Sequence, residues 1–139
     1  KQLGAEHVMV VHSKDGLDEI SLASSTYVAE LKEGEITEWE LTPESVGIES
    51  QTLTGLIVEN SAESLSLIKD ALGKNKSDKG EKAANMIALN AGAGIYVSGL
   101  TTSYKQGVAL AHDIIYGGQA LEKMAILSEF TKTLKEDEA

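Results

Sequence analysis

The sequence predicts an α/β domain in which a mixed sheet with a β-hairpin fills the first half and packed helices fill the second. The evidence is an apolar run at 7–12, two alternating runs around a glycine turn, and helical spacing of apolar residues after position 60. The chain has 139 residues, which is enough for one domain with a buried core. We divide it into a strand-rich part, 1–55, and a helical part, 61–135.

The strands are predicted from hydrophobic patterning. Residues 7–12 are apolar and β-branched without polar alternation, which is typical of a buried central strand, and residues 20–22 are expected to form a second strand. The segments 26–31 and 35–41 alternate with period two. They flank Lys-Glu-Gly at 32–34, where the glycine can adopt a positive φ, so we expect them to form a hairpin.

Four helices are predicted in the second half. Ser61 is the candidate N-cap of the first, with an acidic residue in the first turn. Glycines provide natural ends for the first three helices. The predicted ranges are 61–73, 81–98, 103–116 and 119–134.

The second predicted helix contains the run Asn-Ala-Gly-Ala-Gly at 90–94. Two glycines inside a helix cost about 1–2 kcal/mol of helix propensity, and a close contact with another element would explain them. A phosphate-binding loop is the alternative, but such loops expose N–H groups at a helix N-terminus and this run lies mid-helix. We expect the helix to pack on the 7–12 strand through Ile87, Ala91, Gly94 and Ile95.

Composition excludes several classes of protein. The 22 acidic and 12 basic residues give a formal charge of −10, which disfavours binding to nucleic acid or to an anionic membrane. There is no cysteine, hence no disulfide, thiolate nucleophile or zinc–thiolate site. No stretch has the length and apolarity of a membrane span, and no signal-like segment opens the sequence. We therefore expect a cytoplasmic protein.

An acidic loop follows the first predicted strand. Asp15, Asp18 and Glu19 are brought onto one short connection, with Gly16 beside the first of them. Adjacent carboxylates suit Mg²⁺, which takes one or two of them and completes its shell with water and substrate phosphate. The alternative is a solvated turn, because Asp-Gly is a common turn dipeptide. His12 is either a ligand or general acid, or a hydrogen-bonded loop residue.

Other catalytic motifs are missing. The sequence has no nucleophile–base pair, no Walker loop and no dinucleotide fingerprint. Lys14 lies inside the acidic loop and is expected either to meet a phosphate or to neutralise the neighbouring acids. From the residues alone, the chain is an α/β unit with a candidate Mg²⁺ loop.

Several strings resemble the C-terminal portion of the anthranilate phosphoribosyltransferase family, and the resemblance covers nearly the whole chain. The most specific is Asp-Gly-Leu-Asp-Glu-Ile-Ser at 15–21, which follows the similar segment 3–12. The segment 26–31, the Thr-Pro-Glu at 42–44 and the helical string at 89–99 are also similar to that family. The resemblance implies the C-terminal α/β domain type of nucleoside phosphorylases and phosphoribosyltransferases.

The resemblance also implies an activity. Enzymes of this family transfer a phosphoribosyl group from 5-phosphoribosyl 1-diphosphate to anthranilate, releasing diphosphate, in tryptophan biosynthesis. It implies that Asp18 and Glu19 hold a Mg²⁺ that meets the diphosphate, whereas Asp15 and Gly16 shape the loop. No residue of this chain is assigned as catalytic, and its substrate-binding residues stay unknown.

Some of the family's elements are absent from these residues. They are the glycine-rich diphosphate loop, the Lys-His-Gly-Asn-type stretch, the arginine that meets anthranilate, and the N-terminal helical domain. Residues 1–4 resemble the end of a helix capped by Gly4, which suggests a piece of a longer polypeptide. We therefore expect 1–139 to be the C-terminal part of the α/β catalytic domain, inactive alone, from an enzyme that dimerises through its N-terminal domain.

Two alternatives stay open. One is a non-catalytic homologue that keeps the fold and binds a ligand or nucleic acid, which the acidic charge and the Asp18–Glu19 pair disfavour. The other is a nucleoside phosphorylase relative that uses phosphate in place of diphosphate.

Overall fold

The computed structural model describes residues 1–136. It has a three-stranded sheet followed by a short 3₁₀ helix and four α-helices, which confirms the predicted fold class. The elements are β1 (His7–Ser13), β2 (Thr26–Lys32), β3 (Glu35–Leu41), the 3₁₀ helix (Pro43–Val46), α1 (Ser61–Leu72), α2 (Asp78–Val97), α3 (Tyr104–Tyr116) and α4 (Gln119–Glu136).

The predicted hairpin is β2–β3. Lys32 pairs with Glu35 next to the turn, and Glu33 and Gly34 have φ values of 51° and 81°. Two successive positive φ values are typical of the tight turn that matches the twist of antiparallel strands. The strand order is β1-β2-β3 and both pairings among the described residues are antiparallel, so the parallel pairing of a mixed sheet is not found within them.

The prediction of β1 as a central strand is wrong within the described residues, where β1 pairs with β2 alone and forms a sheet edge. Met9 and Val11 face the helices and pack against the core, whereas Val10 points to the outer face and is 64% exposed. The unbroken apolar run therefore includes an outer face that the described residues leave uncovered.

Residues 20–22 also differ from the prediction, because they form no strand. Ile20 and Leu22 are fully buried in the core. The Ile20 backbone bonds to the side chain of Asn90, and the Leu22 carbonyl accepts from the N–H of Gln51. The segment is thus a buried connection whose backbone groups are satisfied by a helix side chain and a loop.

The core lies between the inner face of the sheet and α2 and α3. It combines Val28 and Leu41 from the sheet with Ile20 and Leu22 from the loop and Leu89 from α2, each at most 2% exposed. The loop after β1 is therefore anchored in the same core that holds the sheet to the helices.

The helix starts are set by side-chain caps. Asn60, and not the predicted Ser61, caps α1: its side-chain oxygen accepts from the N–H of Glu63. The carboxylate of Glu63 accepts in return from the N–H of Glu59, so the two side chains satisfy free N–H groups reciprocally. Ser77 caps α2, which begins three residues before the predicted start at position 81.

The glycines of α2 split into two kinds. Gly92 is buried, and a Cβ there would lie 2.6 Å from the backbone nitrogen of Val108 in α3. Facing it, a Cβ on Gly107 would collide with the Gly92 carbonyl oxygen. Gly94 is exposed, with nothing within 4 Å of a Cβ. Close packing is confirmed for Gly92, with α3 as its partner, and is wrong for Gly94.

The buried face of α2 is rotated about the helix axis relative to the predicted contact face. Ile87 and Ile95 pack partly against the core, but Ala91 and Gly94 are exposed. The buried stripe instead follows a spacing of four residues, because one α-helical turn takes 3.6. Its members are Ala84, Ala88, Gly92 and Tyr96.

The two glycines give a matched test of this packing. Gly92→Ala is expected to destabilise the protein by about 1–3 kcal/mol, because the methyl group forces α2 and α3 apart. Gly94→Ala is expected to stabilise it by about 0.5–1 kcal/mol, because an exposed helical glycine gives way to a better helix former. Chemical denaturation of both variants measures the difference. Equal effects would contradict the packing.

Candidate functional site

The acidic loop, residues 14–25 between β1 and β2, is closed at its base by backbone hydrogen bonds. The N–H of Lys14 donates to the Ser25 carbonyl over 2.9 Å, and the N–H of Ser13 donates to the Leu17 carbonyl over 3.0 Å. Gly16 turns the chain with a φ of 93°, a conformation that favours glycine. Backbone hydrogen bonds therefore hold the loop in shape without a ligand.

Both carboxylate oxygens of Asp15 accept hydrogen bonds from within the loop. One oxygen accepts from the Ser21 hydroxyl over 2.5 Å, and the other accepts from the N–H of Leu17 over 3.3 Å. Desolvation acts to raise the pKa of Asp15, but the bonds from Ser21, Ser13 and the Leu17 backbone outweigh it and hold the pKa below its ordinary value. Asp15 thus stays charged and ties the two arms of the loop together.

Asp18 and Glu19 lie at the exposed tip of the loop. Within residues 1–136, no group of three or more His, Asp or Glu side chains could hold a metal ion. Asp18 and Glu19 are adjacent and exposed, and two hard-oxygen carboxylates fit Mg²⁺ because that ion takes one or two carboxylates and fills its shell with water and substrate oxygens.

Asn90 holds the backbone next to this pair, and sequence analysis missed that role. The N–H of Ile20 donates to Asn90 Oδ1 over 2.9 Å, and Asn90 Nδ2 donates to the Ile20 carbonyl over 2.9 Å. Asn90 Nδ2 also donates to the Met86 carbonyl in its own helix over 3.1 Å. The sequence signal for this role was a polar residue on the inner side of an otherwise apolar helix.

The other two candidates lie away from the tip. His12 is exposed on the outer face of the sheet, opposite Tyr27. Lys14 Nζ lies 2.6 Å from Glu40 Oε1 and 4.9 Å from the centre of the Tyr27 ring. Lys14 therefore pairs with an acid of β3 and not with the acids of its own loop.

A buried carboxylate elsewhere in the sheet also went unrecognised. Glu30 is 8% exposed, and its oxygens accept from Tyr96 Oη over 2.7 Å, from Trp39 Nε1 over 3.2 Å, and pair with His7 Nε2 at 2.9 Å. Desolvation acts to raise the pKa of Glu30, but the bonds from Tyr96, His7 and Trp39 outweigh it and lower the pKa. His7 is a partner in this network, and the signal for Glu30 was a charge at an inward strand position.

With this geometry in place, the class of protein can be stated. Residues 1–121 match the model of the glycosyl transferase family, a/b domain, and the chain belongs to this family. Within it, the chain is 85% identical over 136 residues to the anthranilate phosphoribosyltransferase of Acinetobacter baylyi, covering 98% of this chain and 39% of that protein. It is 77% identical over 139 residues to that of Acinetobacter baumannii strain ATCC 17978, covering 100% and 40%.

Solved structures agree. The anthranilate phosphoribosyltransferase of Thermus thermophilus is 36% identical, with a TM-score of 0.73 over 86% of this chain and 34% of that one. The Saccharomyces cerevisiae enzyme in complex with PRPP and Mg shares the fold, at 22% identity and a TM-score of 0.70 over 84% and 32%. The family resemblance is confirmed, and the chain spans about 40% of the length of its curated relatives.

None of the helices in residues 1–136 combines the length and the apolarity needed to cross a bilayer.

The Glu30 network predicts a pH dependence of stability. Because the pKa of Glu30 is lowered in the folded state, its stabilisation is present above the ordinary value of 4.5 and is lost as pH falls through the folded pKa. At pH 7, Glu30→Gln is expected to lower the free energy of unfolding by about 1–3 kcal/mol. This difference should shrink as pH falls from 4.5 through the lowered pKa of Glu30.

Urea denaturation of the wild type and the variant at a series of pH values measures this difference. Glu38→Gln is the control, since Glu38 is exposed on β3, and it should stay within about 0.5 kcal/mol of the wild type throughout. A Glu30→Gln effect that does not change with pH would show that the charge of Glu30 is not what stabilises the network.

Proposed function

We propose that the chain is the C-terminal part of the α/β domain of an anthranilate phosphoribosyltransferase. The whole enzyme would transfer the phosphoribosyl group of 5-phosphoribosyl 1-diphosphate to anthranilate, releasing diphosphate, in tryptophan biosynthesis. The identity of 85% over 98% of the chain to a relative of that name carries the proposal. The exposed Asp18–Glu19 pair supports it, because this reaction has a diphosphate leaving group that a metal can neutralise.

The part of this chain in the reaction is to hold Mg²⁺ through Asp18 and Glu19. Bound Mg²⁺ supplies Lewis acidity where negative charge grows on the leaving diphosphate. Asp15 keeps its own carboxylate in the loop, so the two exposed acids are left for the metal. The Saccharomyces cerevisiae anthranilate phosphoribosyltransferase structure, which is in complex with PRPP and Mg, supports the choice of Mg²⁺ as the metal.

The rest of the site belongs to other residues of the enzyme in this proposal. The diphosphate loop, the anthranilate site and the N-terminal domain that makes a homodimer would lie in the part of the relatives that this chain does not cover. The proposal places the enzyme in the cytoplasm, with PRPP and anthranilate as its ligands and with no nucleic acid or membrane partner.

The isolated chain is expected to be inactive, because it carries one metal-binding corner and no anthranilate site. With PRPP, anthranilate and Mg²⁺, the loss of anthranilate fluorescence should equal the blank, whereas the full-length enzyme should consume anthranilate. Circular dichroism must show that the isolated chain is folded. Turnover by the folded chain alone would contradict this division of the site.

In the full-length enzyme, the double variant Asp18→Asn/Glu19→Gln should raise the Mg²⁺ concentration needed for half-maximal activity and lower kcat. Each change keeps side-chain size and removes one charge from a site with few protein ligands. Because both side chains are exposed, the free energy of unfolding should change by no more than about 0.5 kcal/mol. Anthranilate binding should be nearly unchanged.

The matched control is Glu33→Gln/Glu35→Gln, which also removes two exposed carboxylates, at the β2–β3 turn. It should leave the Mg²⁺ requirement at the wild-type value. An acidic-loop variant with wild-type Mg²⁺ dependence would favour the solvated turn as the role of Asp18 and Glu19.

A further inference from the structure

We propose that Asn90 is a positioning residue for the acidic pair: its side-chain amide fixes the backbone that carries Asp18 and Glu19. This inference rests on the proposed function, because it concerns the same metal-holding loop. Asn90 makes two reciprocal hydrogen bonds with the N–H and the carbonyl of Ile20, each 2.9 Å long. The Asn90 side chain therefore satisfies both backbone groups of Ile20, as the backbone of a neighbouring strand does in a sheet.

The two Asn90–Ile20 hydrogen bonds, here called the clamp, lie next to the acidic pair. Ile20 follows Glu19 directly, and successive Cα atoms are about 3.8 Å apart, so a shift of the Ile20 backbone moves Glu19 with it. The Ile20 side chain is 1% exposed and sits in the core. Ile20 is thus held at its side chain by the core and at its backbone by Asn90, and the exposed acids extend from a fixed point.

The amide itself is held in place. Asn90 Nδ2 makes a third bond, of 3.1 Å, to the Met86 carbonyl one turn earlier in α2. Two residues further along, Gly92 packs against Val108 of α3. The orientation of the amide is therefore fixed from its own helix as well as by its two bonds to the loop.

Partners that orient metal ligands typically change metal affinity or activity by about 10–100-fold when they are removed. Asn90→Ala removes the clamp. Asn90→Asp keeps the shape and an acceptor for the Ile20 N–H, but it places a carboxylate oxygen against the Ile20 and Met86 carbonyls. Both variants should let the Ile20 backbone move, and Glu19 with it, while the Asp18 and Glu19 side chains themselves are not mutated.

Tyr104→Phe is the matched control. Tyr104 is buried and its hydroxyl donates to the Leu89 carbonyl over 3.1 Å, so this variant removes a buried hydrogen bond from α2 one residue away from Asn90. The hydrogen bond that it removes goes to α2 and not to the loop. A general loosening of α2 would appear in the control as well as in the Asn90 variants.

The experiment uses the full-length enzyme and three readouts. Electron paramagnetic resonance with Mn²⁺ as the probe, in the presence of PRPP, gives the metal dissociation constant. Amide hydrogen exchange gives the protection of residues 18–21 without metal, and thermal unfolding gives the stability of each variant. Both Asn90 variants should weaken Mn²⁺ binding by about 10–100-fold and speed exchange at 18–21, whereas Tyr104→Phe should leave Mn²⁺ binding within about twofold of the wild type.

Two results would overturn the inference. One is unchanged Mn²⁺ binding in the folded Asn90 variants, and the other is an equal loss of binding in Tyr104→Phe. If Asn90→Ala does not fold, Asn90→Asp decides by the same criteria, and failure of both to fold while Tyr104→Phe folds would show a general structural role and overturn it too. Unchanged Mn²⁺ binding in Asp18→Asn/Glu19→Gln would instead overturn the proposed function of the loop.

Discussion

The close approach of α2 and α3 at Gly92 and Gly107 is the constraint on which the candidate site depends. A side chain at either position would overlap the facing helix, so the two helices can reach this distance only with glycine at the contact. Asn90 lies on the same helix and bonds to the backbone of Ile20. Helix packing in the second half of the chain thereby fixes the loop in the first half.

The carboxylates in the first half of the chain have different roles because their surroundings differ. Asp15 is held by a serine hydroxyl and a backbone N–H inside the loop, and Glu30 is buried among Tyr96, Trp39 and His7. Both have lowered pKa values and contribute to structure. Asp18 and Glu19 are exposed at the loop tip, and we propose that they bind the metal.

Local patterns predicted the hairpin and the approximate helix ranges, because alternation, turn glycines and caps are readable within a few residues. They failed where distant groups decide the outcome. The 20–22 segment forms no strand, and the Ile20 backbone bonds instead to Asn90, seventy positions later in the chain. Likewise, the acidic pair was visible as a motif, whereas its clamp depends on which turn of α2 faces the loop, and the predicted face was rotated.

The central claim is that a preformed loop presents Asp18 and Glu19 to a metal. A crystal structure of the full-length enzyme with Mg²⁺ and PRPP tests it most directly. The account predicts Mg²⁺ bound through these two carboxylates, directly or through water, with the Asn90–Ile20 hydrogen bonds retained. A metal and diphosphate bound elsewhere, with both carboxylates facing solvent, would contradict it.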